Sequence, residues 1–325
     1  MKISVVINTL NRPEQVSLCL ESLRLQTYKD FEVIVVDQSR NRRTKEVCKP
    51  YNLKYYRIKK RNNLSISRNF GINMAAGEIV AFIDDDAQAK EDWIERISNH
   101  FLQDDKPGFI AGRVIDVSDS ENPVTQFQNG IVSAFGYSED IRPTDEKRYQ
   151  RGHAGWYVRP MGANMVFQKK SLEKIGGFDE FYEYIHDETD VAVRVIKSGD
   201  YGLYDDSLIV YHNPALGRNR KRKRFSTNWY ALTKNNIYFA LKNGSGILPL
   251  RVLRSFWRVL GARGPFIALF KLFLHRKISI FSYMFGNIRS GLGLLKGFFW
   301  GTRKKRKLMK VTEPSAYLLF AKRHG

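Results

Sequence analysis

The first 83 residues alternate between short apolar runs and helical stripes. Residues 3–7 form a β-branched run that stops at Asn8, which predicts a strand. Val16, Cys19, Leu20 and Leu23 follow at i, i+3, i+4 and i+7, one face of a helix entered through Pro13. Residues 31–36 read as a buried strand ending at Asp37, and residues 53–58 as a third strand. A helix is predicted over 65–76, closed by Gly77, and a fourth strand over 79–83 runs straight into Asp84, Asp85 and Asp86. Strands that are apolar on both faces and alternate with helices predict a mostly parallel sheet sandwiched by helices, an α/β fold.

Beyond this unit, Trp93, Ile94, Ile97 and Phe101 mark another helix face. Residues 118–158 are polar, rich in turn residues and weakly periodic, and read as a loop region. Regularity returns at 161–167, then at a turn around Gly176 and Gly177, a helix over 187–197, and a strand over 207–211 that ends at His212. After the basic run from Arg218 to Arg224 the pattern changes. Residues 247–260 are largely apolar, with Arg251, Arg254 and Arg258 recurring at i, i+3 and i+7, and residues 266–274 and 281–300 are apolar stretches interrupted by Lys271, Arg289 and Lys296. Such helices, with aromatic and aliphatic faces beside Lys/Arg faces, fit a membrane interface better than bulk water. The predicted organisation is an α/β domain over 1–215, a basic linker over 216–225 and a basic amphipathic helical module over 226–325.

Charge sharpens that division. The 325-residue chain has a formal net charge of +21, yet residues 216–325 hold 25 Lys/Arg against one acidic residue, Glu313. The remainder is close to neutral, so the cationic third points to an anionic partner, with a membrane surface the first candidate. The cluster at 303–307 would add about 1 kcal/mol of attraction to anionic lipid per basic residue. A hydrophobic content of 43% excludes wholesale disorder. Two cysteines without metal-type spacing exclude a disulfide-stapled fold and suit a reducing setting. The N-terminal apolar run is too short for a signal peptide, and no stretch of about 20 apolar residues lacks charges, so a peripheral protein is expected.

Ligands of open α/β sheets sit outside the carboxyl ends of the strands. Four such ends carry polar residues: Asn8, Thr9, Asn11 and Arg12; Asp37; the acidic triplet; and His212. Three adjacent carboxylates repel one another. A divalent cation bridging a diphosphate would offset that repulsion, because hard cations favour oxygen ligands; an acidic cap on a helix starting near Glu91 is the other reading. His212 reads equally as a metal ligand or a structural strand-end histidine. Asp187 and Glu188 read either as chemistry or as acidic residues favoured at a helix N-terminus.

Val5-Val6-Ile7-Asn8-Thr9-Leu10-Asn11-Arg12, Val35-Val36-Asp37, Arg68-Asn69-Phe70-Gly71-Ile72 and Gly77-Glu78-Ile79-Val80-Ala81-Phe82-Ile83-Asp84-Asp85-Asp86 occur in that order. Gly162-Ala163-Asn164-Met165, Gly176-Gly177-Phe178-Asp179-Glu180 and Asp187-Glu188-Thr189-Asp190-Val191-Ala192-Val193-Arg194 follow. The ordered set resembles family 2 glycosyltransferases of the GT-A fold, over residues 1 to about 215. The resemblance implies a Rossmann-like mixed sheet and inverting transfer from a nucleotide-diphosphate sugar to a hydroxyl of a glycan or lipid-linked acceptor, with Mn²⁺ or Mg²⁺. It implies that Thr9, Asn11, Arg12, Asp37, Arg68, Asp84 and Asp85 bind the nucleotide sugar, and that Asp86 and His212 hold the metal. Glu188 matches the general base, with Asp187 the alternative because the usual Glu-Asp order is reversed here. Asn63 stands where a glycine is common and would tolerate a left-handed backbone. By the same analogy the destination is cell-surface polysaccharide synthesis, at the inner face of the cell membrane.

Three other readings compete. A nucleic-acid-binding protein would use the cationic third, but its basic residues interleave with long aliphatic runs and no recognition motif occurs, so no nucleic-acid partner is expected. A catalytically inactive membrane scaffold has no need of the acidic triplet, Glu188 and His212. A nucleotidyltransferase needs a glycine-rich phosphate loop, and residues 8–13 contain no glycine.

Overall fold

The computed structural model describes residues 2–59, 62–103, 106–141, 143–215, 220–221, 224–225 and 228–303. Most of the basic linker, and the cationic cluster beyond Arg303, lie outside the described residues.

The N-terminal half runs β1 (Ile3–Thr9), α1 (Pro13–Arg24), β2 (Phe31–Asp37), α2 (Arg43–Cys48), β3 (Lys54–Arg57), α3 (Leu64–Met74), β4 (Ile79–Asp84), β5 (Ala87–Ala89) and α4 (Trp93–Phe101). Next come β6 (Phe109–Asp116), β7 (Val124–Phe127), β8 (Gly130–Ser133), β9 (Ser138–Asp140), a 3-10 turn (Pro143–Arg148), β10 (Trp156–Val158), β11 (Asn164–Gln168), α5 (Lys169–Ile175), α6 (Asp187–Lys197) and β12 (Gly202–His212). A two-residue ladder, β13 (Arg220–Lys221) with β14 (Arg224–Phe225), precedes α7 (Trp229–Asn243), α8 (Leu248–Leu260), α9 (Pro265–Leu274) and α10 (Ile280–Thr302).

The main sheet has the order β3-β2-β1-β4-β11-β6-β12-β5, with β7 added to β6. β3, β2, β1 and β4 are parallel, β11 runs antiparallel between β4 and β6, and β12 is parallel to β6. Alternate side chains on the strands divide between two cores. Val5, Ile7, Val35, Ala81 and Ile83 pack towards α1 and α4, with Val16, Leu20, Trp93 and Phe101. Val6, Ile34, Val36, Phe82 and Phe167 pack towards α3, α5 and α6, with Phe70, Leu172 and Val191. Each fully buried Val, Leu, Ile or Phe among them is worth about 1.5–3 kcal/mol.

Two parts depart from the sequence expectation. Residues 118–158 are not a plain loop: β8, β9 and β10 form a second, antiparallel sheet of order β10-β8-β9. These strands have three or four residues each, too short to register as a periodic signal. Asn63 is extended (φ −134°) rather than left-handed, and its Oδ1 accepts from the Ile66 amide to cap α3. The left-handed residue is its neighbour Asn62.

Among the C-terminal helices, α7 packs along α10 and carries a buried polar face. The inner side of α10 is small: Gly286, Ser290, Gly293 and Gly297 are buried, at spacings of four, three and four residues. A Cβ on Gly293 would lie 2.4 Å from the Tyr230 carbonyl oxygen, and one on Gly297 would lie 2.3 Å from that of Lys234, so the two backbones touch. The outer side of α10 exposes Phe281, Phe285, Ile288, Leu292, Leu295 and Phe299. α8 does not present its three arginines as one solvent-facing stripe: Arg254 is exposed, while Arg251 and Arg258 turn onto the protein. Arg258 donates to the Gly136 carbonyl at 3.2 Å and lies over the Tyr137 ring, and Arg251 reaches the Leu241 carbonyl, while Leu253 and Trp257 are exposed. No helix among the described residues is long and apolar enough to cross a membrane.

Candidate active site

β1 has β2 on one side and β4 on the other, so the chain leaves it in opposite directions and a crevice opens at their carboxyl ends. Register places Thr9 opposite Asp37, and Asn8 opposite Asp84. The chain then turns sharply through Asp85 and Asp86 and crosses to pair as β5 with the end of β12, Ala87 opposite His212. That crossing is why residues 126 apart in sequence meet: His212 Nε2 lies 3.1 Å from Asp86 Oδ1.

Arg12 ties Asp85 to Asp86, its Nη1 donating to Asp85 Oδ1 at 2.9 Å and to Asp86 Oδ2 at 3.1 Å. Thr9 Oγ1 donates to Asp85 Oδ2 at 2.7 Å. Burial pushes the Asp85 carboxyl up to about 7, with Arg12 opposing and the charge of Asp86 adding to the rise. Burial also acts on Asp86, but its hydrogen bond with His212 and the charges of His212 and Arg12 outweigh it, and its pKa falls below the usual value. Asn11 adopts a left-handed backbone (φ 58°) and its amide donates to Ser39 Oγ, which turns the chain from β1 into α1. Asp37 is fully buried, with Oδ2 accepting from the Tyr55 hydroxyl at 2.6 Å and Oδ1 from the Ser39 amide.

Asp84, Asp86 and His212 each offer a ligand atom, all within 4.8 Å of one another. His212 Nδ1 faces Gln126 Oε1 at 2.8 Å, and Gln126 in turn donates to Asp116. The amide oxygen favours a proton on Nδ1 and leaves Nε2 as the ligating nitrogen, a second layer of support common around metal-binding histidines. Two carboxylates and one imidazole suit Mn²⁺, and Mg²⁺ less well because of the nitrogen, so the donor set fits a divalent cation.

Across the crevice, α6 begins at Asp187. Arg68 of α3 is 2% exposed and pairs through Nη1 with Asp187 Oδ2, while its Nη2 lies 3.9 Å from Asp84 Oδ1. Gly162 leaves room for this arginine, since a Cβ there would meet Nη2 at 2.7 Å. One guanidinium therefore links the two acidic groups. Glu188 is half-buried, and its pKa rises well above the usual carboxylate range, because of burial first, then the charge of Asp187 and a hydrogen bond to it. Asp190, one turn on, is fully buried and accepts from Arg194, Lys242, Tyr182 and Asn243.

Thr9, Arg12, Asp84, Asp85, Asp86 and His212 thus gather at one edge, and Arg68 joins them to Asp187, beside Glu188. Asn11 sits at the rim and Asp37 is enclosed beneath it. Gln126 could not be found from the sequence, because nothing in the 118–158 pattern distinguishes it. Lys234, Asn235 and Asn236 left a signal: with Thr233 they make four consecutive polar residues between two apolar stretches of one helix.

Residues 4–176, more than half the chain, match the sequence profile of "Glycosyl transferase family 2". The chain is 25% identical over 250 residues to the hyaluronan synthase of Pasteurella multocida, an alignment covering 68% of this chain and 25% of that one. It is 32% identical over 184 residues to the glycosyltransferase GlyA of Streptococcus pneumoniae, covering 47% of this chain and 26% of GlyA. It therefore spans only about a quarter of either relative. It is also 25% identical to the glucosyl-dolichyl phosphate glucuronosyltransferase of Haloferax volcanii, covering 65% and 69% of the two chains. Among solved structures, TarS 1–349 of S. aureus with UDP-GlcNAc superposes with a TM-score of 0.58 at 14% identity, covering 93% of this chain and 82% of that one. The mannosyltransferase PcManGT of Pyrobaculum calidifontis with GDP-Man and Mn²⁺ gives 0.54 at 14% identity, covering 93% and 88%. These likenesses establish the expected GT-A fold.

Proposed function

Because the chain belongs to glycosyl transferase family 2, we propose that it is an inverting, metal-dependent glycosyltransferase that moves a sugar from a nucleoside diphosphate to an acceptor hydroxyl. The observation that supports this reading is a donor set able to hold a cation, Asp84, Asp86 and His212, joined through Arg68 to Asp187 and its neighbour Glu188.

Asp84, Asp86 and His212 would hold Mn²⁺ or Mg²⁺. When bound, the ion neutralises charge developing on the departing diphosphate. Thr9 and Arg12 fix Asp85 and Asp86, and Asn11 would line the nucleotide pocket. Asp187 is committed to Arg68, which leaves Glu188 to act. An acceptor hydroxyl oxygen attacks the anomeric carbon as the bond from that carbon to the β-phosphate oxygen breaks, and the hydroxyl proton passes to Glu188. A base with a raised pKa accepts that proton more readily than an ordinary carboxylate. A single displacement inverts the anomeric configuration.

The acceptor is read as a glycan or a lipid-linked glycan, in cell-surface polysaccharide synthesis. The names of two relatives, hyaluronan synthase and chondroitin synthase, support that reading. The exposed apolar residues of α8 and α10, beside a strongly cationic C-terminal third, support attachment to an anionic membrane surface, with the inner face of the cell membrane the natural location.

The test is thermal stabilisation by UDP-, GDP- and dTDP-sugars with and without Mn²⁺. One donor class should stabilise the protein only with metal, by about 2.7 kcal/mol at a hundred times Kd, and Asp86→Ala should abolish the effect. Glu188→Gln should keep that stabilisation while turnover falls at least about a hundredfold. No donor response in folded, metal-loaded protein would favour the inactive-scaffold reading, and near-normal turnover in Glu188→Gln would remove it from the base role.

A further inference from the structure

The segment leading into α6 has a backbone that does not hold itself. Glu183, Ile185 and His186 all lie in the left-handed region, with φ of 60°, 64° and 68°, and none is glycine. Such residues are strained and persist only where surrounding contacts determine them. The next two residues are Asp187 and Glu188.

Those contacts come from α7. Asn235 is fully buried, and its Nδ2 lies within hydrogen-bond distance of three carbonyls of the segment: Tyr182 at 3.0 Å, Tyr184 at 2.7 Å and Ile185 at 3.0 Å. Lys234 Nζ donates to the Phe181 carbonyl at 2.7 Å, and Asn236 Oδ1 accepts from His186 Nε2 at 2.7 Å. Further along the helix, Tyr238 and Lys242 donate to Asp179, and Lys242 and Asn243 to Asp190. Neighbouring helix residues do not share a face. All three of Lys234, Asn235 and Asn236 reach the segment because it wraps around the helix.

We propose that Lys234, Asn235 and Asn236 are positioning residues for the transfer reaction, holding residues 181–186 so that α6 starts with Glu188 turned to the acceptor. This rests on the reading of Glu188 as the base. A buried polar trio carries a desolvation cost that an apolar one would avoid, and here its partners, carbonyls for Lys234 and Asn235 and the His186 ring for Asn236, all belong to one segment, the one that leads to Glu188. Three residues of α7 then help to position the base, while the rest of that helix packs against its neighbours.

The test uses the full chain and three variants: Asn235→Ala, Glu188→Gln and Ile237→Ala. Ile237 lies on the same helix, buried among Leu241 and Val259 and away from the segment, and serves as a packing control. Binding is read with UDP and GDP in the presence of Mn²⁺, turnover as nucleoside diphosphate released from the donor sugars, and the segment by amide hydrogen exchange over 183–188. For Asn235→Ala the expected result is kcat lowered by about tenfold or more, donor KM and nucleotide binding within about twofold of wild type, and faster exchange over 183–188. Ile237→Ala should lose thermal stability and keep kcat. Turnover retained in Glu188→Gln means that the base is misassigned. An inactive Glu188→Gln, with Asn235→Ala losing no more kcat than Ile237→Ala, overturns the positioning role alone.

Discussion

Glu188 lies against one carboxylate and within reach of the guanidinium that neutralises it, and its protonation reports on that balance. Its native pKa stands above the unfolded value of about 4.3, so the folded state keeps a proton that the unfolded chain releases. Stability is therefore lost as pH rises from about 4.3 through the native pKa. Glu188→Gln is neutral at every pH. It should melt higher than wild type, by a margin that grows from about pH 5 to pH 8 and closes below about pH 4, in scanning calorimetry across that range. The acid limb of wild-type turnover should lie above the ordinary carboxylate range for the same reason. Sequence spacing brought Asp187 and Glu188 to a helix start, but it could not show that Arg68, 119 positions away, occupies the first and leaves the second. That depends on a packing contact between α3 and α6, which no local pattern encodes.

At the level of elements, periodicity served best where a face is large and apolar. The stripe Val16, Cys19, Leu20 and Leu23 and the stripe Trp93, Ile94, Ile97 and Phe101 are buried as their spacing requires. It failed where strands are short, as in the β8–β10 sheet, and where a helix presents its charges inward, as Arg258 of α8 does. α10 is legible only with its partner in view, because its meaningful positions are the small ones. Two glycines two residues apart test this. A Cβ on Gly291 meets nothing within 4 Å, so Gly291→Ala should gain about 1 kcal/mol from helix propensity. On Gly293 it meets the Tyr230 carbonyl, and overpacking of about 1–3 kcal/mol should outweigh that gain. Denaturant melts of the two variants should move in opposite directions from wild type.

The whole molecule sets a nearly neutral α/β body beside a cationic helical third whose outer residues are apolar. Burying an exposed Phe or Leu in a bilayer is worth about 1.5–3 kcal/mol, so Phe281→Ser and Leu295→Ser should each lower the affinity for phosphatidylserine-containing vesicles by about tenfold or more in a flotation assay. Because Arg251 and Arg258 are turned onto the protein, high salt should weaken that attachment only in part. Charge marks the basic run along the sequence, but not that α7, beyond this run, holds a segment before it. The placement of α7 also bears on how such chains can be recombined. A chimera joined at 216–225 would combine one parent's Asn235 with the other parent's Tyr182 to Ile185 carbonyls, and the two would have to agree in shape without having been selected together. The unit that can be exchanged intact is therefore α7 with residues 179–190, and replacing the C-terminal helices without that segment would also alter the support beneath Glu188.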